Sequence, residues 1–495
     1  MPAISPFSII TPEEMSAIDG AAARSGIDSF ALMTAAGHAV AATALRLHPD
    51  ARRFVVLCGP GNNGGDGYIA TAALADSGGT VVVHALGDVG GLRGDAARAH
   101  AACRRPVHAL SNYVPEPGDV VIDALFGAGL SRPVSKEVAD VIEAIGQQDL
   151  PVIAVDLPSG IDGRTGQVQG CSFHARHTVT FMARKPGHLL LPGRMACGQV
   201  EVVDIGIPRR IVGQHWSGLC ENGPPLWGSD RPSLDPSAHK FKRGHLGVFS
   251  GGALATGAAR LSAAAGLKAG AGLVTLASSP GAVSVNAAHL TAVMLKEIGG
   301  PEALSDWLSD RRLTAFVLGP GFGATQTARD YALMLHDRVL VLDADGITAF
   351  KDDAQALFKA FSDGGTRLVL TPHEGEFARL FADIHADERL SKVDQALAAA
   401  RRAGAVIVYK GADTVIAAPD GRAAINANAP AFLATAGSGD VLAGIIGAHL
   451  AAGMPAFEAA CAAVWRHGRA GARAGEGLTA ESLIGAIEPL PASAG

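Results

Sequence analysis

Cysteine is scarce and unpatterned. The six residues (Cys58, Cys103, Cys171, Cys197, Cys220, Cys461) show no CxxC spacing, which argues against a disulfide framework or a zinc site and fits a reducing compartment. A basic excess is also lacking. Lys and Arg number 41 against 47 Asp and Glu, a net charge of −6, so neither nucleic acid nor an anionic membrane is expected as a partner. The opening "MPAISPFSIITPEEM" has no basic start and no apolar run of signal-peptide length, so a cytoplasmic location is expected. The stretch nearest to a membrane span, "AFLATAGSGDVLAGIIGAHLAAG", contains Asp440 and a glycine turn. It reads as a buried helix following a loop.

What is present is a long, ordinary globular chain. Its 495 residues exceed the size at which single cores stop growing, so at least two domains are expected. Thr11-Pro12-Glu13-Glu14 reads as a capping box with proline at the first helical position. After it, "RRFVVLC", "TVVVHAL", "DVVIDALF" and "LPVIAVDLP" alternate with helix-period stretches, the pattern of a parallel sheet covered on both faces. "QVEVVDIGIP" closes this unit. "GQHWSGLCENGPPLWGSDRP" then lapses into Gly, Pro and Ser, and 213–232 reads as a linker between domains 1–212 and 233–495. A second series follows: "GHLGVFSGG", "GLVTLASS", "LTAFVLGPGFG", "RVLVLDADG", "TRLVLTPHEGEF" and "AVIVYKGADT", with helices from Asp440 onward. No internal repeat maps one half onto the other. The fold class is α/β, two unrelated three-layer α/β/α domains.

Three strand ends of the first half carry polar residues: "GPGNNGGDG", "IDALFGAGLSRP" with Asp123, and "AVDLPSGIDGRTG" with Asp156 and Ser159. Ligands of open parallel sheets bind outside the carboxyl ends of strands, so these loops are expected to converge. Asn, Asp and Ser oxygens from three loops make a hard, weakly charged cage, suited to a monovalent cation rather than zinc. Asp156 is then free to move a proton. Asn and Asp favour turns without any chemistry. That accounts for one such loop better than for three in succession.

These motifs, with "KPGHLLLPGRMACGQVEVVDIGIP", resemble the NAD(P)H-hydrate epimerases over essentially the whole first half. The resemblance implies a Rossmann-like domain. It implies that Asn62, Asn63, Gly64, Gly65 and Asp66 contact a hydrated nicotinamide nucleotide, as do Gly127, Ala128, Gly129, Leu130, Ser131, Arg132 and Pro133. Asn63, Asp123 and Ser159 would hold K+, and Asp156 would be the general acid/base. The glycines would receive the dinucleotide, and Asp66 would order the turn.

In the second half, "ATAGSGDVLAGIIGAHL" places a Gly-Ser-Gly turn at the start of an apolar helix with Asp440 in its first turn. Free N–H groups there suit an anion, although an aspartate in that position also favours the helix itself by ~0.3–1 kcal/mol. Lys410 beside a glycine, "LGPGFG" and His373 follow other strands. "HEGEF" lacks the second histidine of an HExxH zinc site, and the P-loop and GxGxxG patterns are missing. The set "GHLGVFSGG", "LGPGFG", "LDADGIT", "LTPHEGEFARL", "YKGADT" and "GSGDVLAGII" resembles the ribokinase-like NAD(P)H-hydrate dehydratases from about His239 to the end. By that resemblance Lys410, Gly411, Ala412, Asp413, Thr414 and Gly439 bind an adenine nucleotide. Ala258, Gly321, Gly323, His373 and Asp440 would face the hydrate, Asp440 moving the proton that expels the hydroxyl. Ser438 and Ala436 stand where the family more often has threonine and glycine; Ser438 keeps the hydroxyl.

A nicotinamide ring that has added water exists as two epimers, and stereospecific dehydration uses one, so fusing an epimerase to a dehydratase makes chemical sense. The fused arrangement resembles ADP-dependent members and implies ADP, with ATP as the alternative and Mg2+ beside it. The residues leave NADH hydrate and NADPH hydrate equally open. The competing expectation is a ribokinase-like small-molecule kinase fused to a nucleotide-binding module. A homo-oligomer is expected, and alanine-rich stretches such as "ARLSAAAGLKAGAG" either pack subunits together or form intramolecular core.

Overall fold

The computed structural model describes residues 5–231 and 240–491 and divides into two compact units, Met1–Leu219 and Cys220–Gly495. The division falls inside the stretch expected as a linker. That stretch is not a bare tether, because it contains the end of helix Arg209–His215, a strand at Leu219–Glu221 and a helical turn at Pro224–Trp227. Its few apolar residues anchor it, and Trp227 is fully buried. The expected domain start at residue 233, and His239, lie outside the described residues.

In the first unit, helix Pro12–Arg24 opens on the expected capping box. The Thr11 side chain accepts from Glu14 N–H, and Glu14 Oε2 accepts from Thr11 N–H at 2.8 Å. Seven strands follow: β1 Arg53–Cys58, β2 Val81–Ala85, β3 Val107–Ala109, β4 Asp119–Ala124, β5 Val152–Val155, β6 His177–Phe181 and β7 Gln199–Val203. They form one parallel sheet in the order β3-β2-β1-β4-β5-β6-β7. This is the Rossmann-like order, with its switch point between β1 and β4. Leu57 pairs with Asp123, and Asp123 with Ala154, so the loops after β1, β4 and β5 leave from one edge. One face of the sheet packs against helices Ser29–Leu47 and Asn62–Asp76, the other against Lys136–Gln147. Ser29–Leu47 is long and apolar enough to cross a membrane by length and composition, but here it presses Met33, Ala36, Val40 and Ala44 into the core.

In the second unit, β8 Leu219–Glu221 lies at one edge of a ten-stranded sheet. Its other strands are β9 His245–Phe249, β10 Leu273–Ser278, β11 Met294–Glu297, β12 Ala315–Leu318, β13 Val339–Leu342, β14 Leu368–Leu370, β15 Val406–Tyr409, β16 Val415–Ala417 and β17 Ala423–Ile425. The order is β11-β10-β9-β12-β13-β14-β15-β16-β17-β8. Pairing is parallel from β11 through β15 and antiparallel at β15-β16-β17. Helix Gly257–Ala269, Ser438–Ala451 and Ala456–Ala474 carry much of the core. The alanine-rich stretches are therefore largely intramolecular.

Candidate active sites

In the first unit a cavity of about 640 Å3 opens over the carboxyl ends of β1, β4 and β5. Asn62, Asn63, Asp66, Gly127, Ala128, Gly129, Leu130, Ser131, Arg132 and Asp156 line it. Gly64, Gly65 and Pro133 are not on its wall. A Cβ on Gly64 would lie 1.9 Å from Gly59 O, and one on Gly65 2.6 Å from Met33 Cε. These two glycines let the helix begin hard against the preceding turn, where a side chain has no room. Gly127 does face the site: its missing Cβ would sit 3.0 Å from Asp156 Oδ2 and 3.1 Å from Asn63 Oδ1. Asp66 lies inside helix Asn62–Asp76, whose N-terminus has no side-chain cap, so it does not order the turn by capping.

Beneath the cavity, Asp123 is fully buried. It accepts from Ser159 Oγ and Ser159 N–H, both at 2.6 Å, and from Leu125 N–H at 3.2 Å. Burial pushes its carboxyl up to about 6 against those bonds. Asn63 Nδ2 is buried without a hydrogen-bond partner. Asp123 and Ser159 are in contact, and Asn63 Oδ1 lies by Gly127, next to Phe126 whose N–H donates to Ser159 Oγ. Carboxylate, amide and hydroxyl oxygens of low total charge fit a monovalent cation.

Asp156 follows β5 with φ +64°, a left-handed conformation that costs a non-glycine residue about 1 kcal/mol or more. Three partners hold it there. Its N–H donates to Val179 O at 2.7 Å, its carbonyl accepts from His188 Nε2 at 2.7 Å, and its Oδ2 accepts from Ala128 N–H at 2.9 Å. Since His188 Nδ1 accepts from Lys185 N–H, Nε2 carries the proton. Lys185 Nζ donates to Asp156 Oδ1 at 2.7 Å and to Thr180 Oγ1 at 2.8 Å, while Thr180 Oγ1 donates to the same Oδ1 at 2.9 Å. Burial alone would raise this carboxyl, but Lys185 and the Ala128 N–H bring it down to about 2. Asp156 is an anion at neutral pH. Two more carboxyls line the cavity. Burial pushes Asp66 well above the carboxylate range, with Asp156 and Asp19 adding to it. Asp19, exposed at the mouth, is pushed up to about 6 by partial desolvation of its carboxyl and by Asp156, against the pull of Lys185.

The second constellation gathers at the ends of β12 to β15. A Cβ on Gly321 would lie 3.2 Å from that of Ala258, so these two stand together. Gly323 N–H donates to Asp345 Oδ2 at 2.9 Å. His373 caps helix Glu374–Leu380: its Nδ1 accepts from Gly375 N–H at 3.0 Å, and Glu376 Oε2 accepts from His373 N–H at 2.8 Å. Lys410 Nζ donates to buried Asp343 Oδ1 at 2.7 Å and lies 3.9 Å from Glu376 Oε2. Burial opposes its charge, but Asp343, Glu376 and Asp440 outweigh that and keep it protonated. Asp413 is held by Lys392 Nζ at 2.5 Å, and Thr414 Oγ1 donates to Gly411 O at 2.7 Å, while Ala412 is exposed.

Helix Ser438–Ala451 begins at Gly437 without a side-chain cap, so its first N–H groups are available to an anion. A Cβ on Gly439 would lie 3.6 Å from Lys410 Nζ. The Asp440 carboxyl is raised to about 6, by burial first and then by Asp343, with Lys410 opposing. His467 Nε2 lies 3.0 Å from Ser438 O and 3.1 Å from Ser438 Oγ. A carbonyl only accepts, so Nε2 is the donor, and burial holds the ring neutral by lowering it to about 4.

Asp19, Thr180, Lys185 and His188 in the first site, and Asp343, Asp345, Glu376, Lys392 and His467 in the second, were not singled out from sequence. "KPGHLLLPG" and "LDADGIT" contain Lys185, His188, Asp343 and Asp345, so the motifs themselves could have found four of them.

Comparison with known proteins joins the two units. The family described as YjeF-related protein N-terminus matches residues 29–187, and that described as NAD(P)H-hydrate dehydratase matches residues 246–487. The bifunctional NAD(P)H-hydrate repair enzyme of Thermofilum pendens is 36% identical over 94% of this chain and 92% of its own length. Its Escherichia coli counterpart is 32% identical over 94% and 90%. Among solved structures, the ADP/ATP-dependent NAD(P)H-hydrate dehydratase of Bacillus subtilis covers 54% of this chain and 95% of its own, at 25% identity and a TM-score of 0.45. With a relative matched nearly end to end across both units, the chain belongs to the bifunctional NAD(P)H-hydrate repair enzymes.

Proposed function

We infer that the first unit interconverts the two epimers of hydrated NADH or NADPH and that the second removes water from one of them with ADP as an unconsumed cofactor. The observation that carries this is the pair of aspartates, Asp156 just after strand β5 and Asp440 in the first turn of helix Ser438–Ala451, each set against a lysine in a crevice walled by glycine turns. Hydration of the ring's enamine puts the hydroxyl on the carbon beside nitrogen, where the nitrogen lone pair can expel it. Asp156, held ionised by Lys185, stabilises the iminium cation and accepts a proton from incoming water. Asp440, carrying a proton more readily than an ordinary carboxyl, donates to the departing hydroxyl.

Asn63, Asp123 and Ser159 would hold K+, which would supply a fixed positive charge that orders the three loops. Lys410 to Thr414 and the N–H groups at Gly439 would take the nucleotide phosphates. No group of three or more His, Cys, Asp or Glu suited to a metal occurs among the described residues, so Mg2+ would arrive on those phosphates. The six cysteines are free, which supports a reducing, cytoplasmic setting.

The test is incubation of the full chain with both hydrate epimers, ADP and K+, following the return of nicotinamide absorbance. Recovery of the whole pool is expected. Recovery that stops at one epimer removes the first activity, and a phosphorylated product formed with ATP in place of ADP, without return of nicotinamide absorbance, would replace the second with a kinase.

A further inference from the structure

Inverting a carbon that passes through a flat iminium requires proton traffic on both faces of the ring. Asp156 and Lys185 supply only one wall of the first cavity. Helices Pro12–Arg24 and Ser29–Leu47 build another part of the lining with Pro12, Met15, Ser16, Asp19, Leu32 and Met33. Asp19 is the carboxyl among these. Among the described residues no hydrogen bond ties it down and none joins it to Asp156, yet the two feel each other's charge. Both line the same cavity of about 640 Å3, Asp19 from helix Pro12–Arg24 and Asp156 from the loop after β5. Lys185 and Asp66 also act on Asp19 electrostatically, and Asp95 and Arg132 belong to the same lining.

We propose that Asp19 is the proton-transfer group for the face of the ring turned away from Asp156, making the epimerase site two-sided. This rests on the epimerase reading above. For the epimer whose hydroxyl faces Asp19, the C–O bond breaks as the nitrogen lone pair forms C=N+. The departing hydroxide takes the Asp19 proton and leaves as water. A second water adds to the same carbon from the Asp156 side, the C=N pair returns to nitrogen, and the surplus proton passes to the Asp156 carboxylate. The site now holds Asp19 ionised and Asp156 protonated, the state that processes the opposite epimer. Exchange with solvent resets it, since Asp19 stands exposed at the mouth and the ammonium of Lys185 drives the proton off Asp156. The raised affinity of Asp19 for its proton suits this work near neutral pH.

The experiment uses the full chain without ADP, so that dehydration is silent, and each purified epimer in H2(18)O. The wild type should invert both epimers and wash label into both. In Asp19→Asn, inversion should fall roughly 10²-fold or more. The epimer whose hydroxyl faces Asp156 draws on the small protonated fraction of Asp156 in both proteins, so it should still exchange label with retention, within about threefold of the wild-type rate. Such one-sided exchange supports the proposal, because a merely structural loss would silence both epimers alike. Inversion within about threefold of wild type, or exchange lost or kept equally in both epimers, overturns it. If Asp19→Asn loses the wild-type melting transition, Asp19→Glu decides: restored inversion with a displaced pH profile supports the proposal, and an unchanged profile overturns it. A wild type that inverts neither epimer sinks the epimerase reading itself, whatever the variants do.

Discussion

Each site sets a lysine among buried aspartates at the ends of parallel strands, but the lysine chooses differently. Lys185 grips the residue that faces the first cavity, so Asp156 is locked as an anion. Lys410 grips Asp343, one layer back, and leaves Asp440 with burial and a like charge for company. The same residue types therefore yield a carboxyl held well below its usual range in one unit and one raised above it in the other. What differs is which carboxylate stands at bonding distance from the ammonium. Both sites also carry a non-glycine residue at positive φ by the critical strand end, Asp156 at +64° and Ala344 at +48° between Asp343 and Asp345.

The sharpest way to separate the two units is Asp440→Ala. Dehydration should fall by roughly 10²–10⁴-fold while epimer exchange continues, and chromatography of the two hydrates would show both. Equal loss of the two activities would break the comparison.

Lys185→Met should destabilise the first unit by about 3–5 kcal/mol, because it strands a buried carboxylate. Adding Asp156→Asn to it should recover much of that in urea melts. No recovery would mean that the lysine acts through packing rather than charge.

The acid role of Asp440 carries a pH signature. A raised carboxyl loses its proton as pH climbs through about 6, so dehydration at subsaturating hydrate should decline above that point. Lys410 lowers the Asp440 pKa, so Lys410→Met should move the decline to higher pH. The first unit should behave oppositely in stability. Its Asp156 is depressed from 3.8 to about 2, so the stabilisation it gives is complete above pH 3.8 and is lost as pH falls toward 2. The smallest effect expected is from Thr11→Ala, which removes the capping box for about 1 kcal/mol and should leave both activities intact.

The central strands of both sheets were legible because continuous β-branched runs have one stable use in a sheet covered on both faces. β6, "HTVTF", was not, since its alternating polar residues suggest an exposed face. Instead Thr178 and Thr180 are buried and satisfied by Cys197 O, Asp156 and Lys185. The short strands β3, β16 and β17 are three residues each, too brief for periodicity to register. In the sites, the strand-end aspartates were readable from glycine-flanked motifs. Lys410 was singled out as well, but its pairing with Asp343, like that of Lys185 with Asp156, was not, because these partners meet across 67 and 29 residues of chain. Only folding sets that distance. Some motif glycines served a different end as well: Gly64 and Gly65 make room for neighbouring atoms, a need no spacing rule expresses.

The wiring of His467 bears on what the second crevice admits. One ring N–H is shared between the carbonyl and the hydroxyl oxygen of Ser438, so the hydroxyl retains its own hydrogen to donate. Together with the bare amides of that helix start, it offers hydrogens suited to phosphoryl oxygens, while Asp440 and Asp343 set carboxylate oxygens beside them. The crevice thus has a donor side for an anion and an acceptor side for a hydroxyl or a cation carried on it.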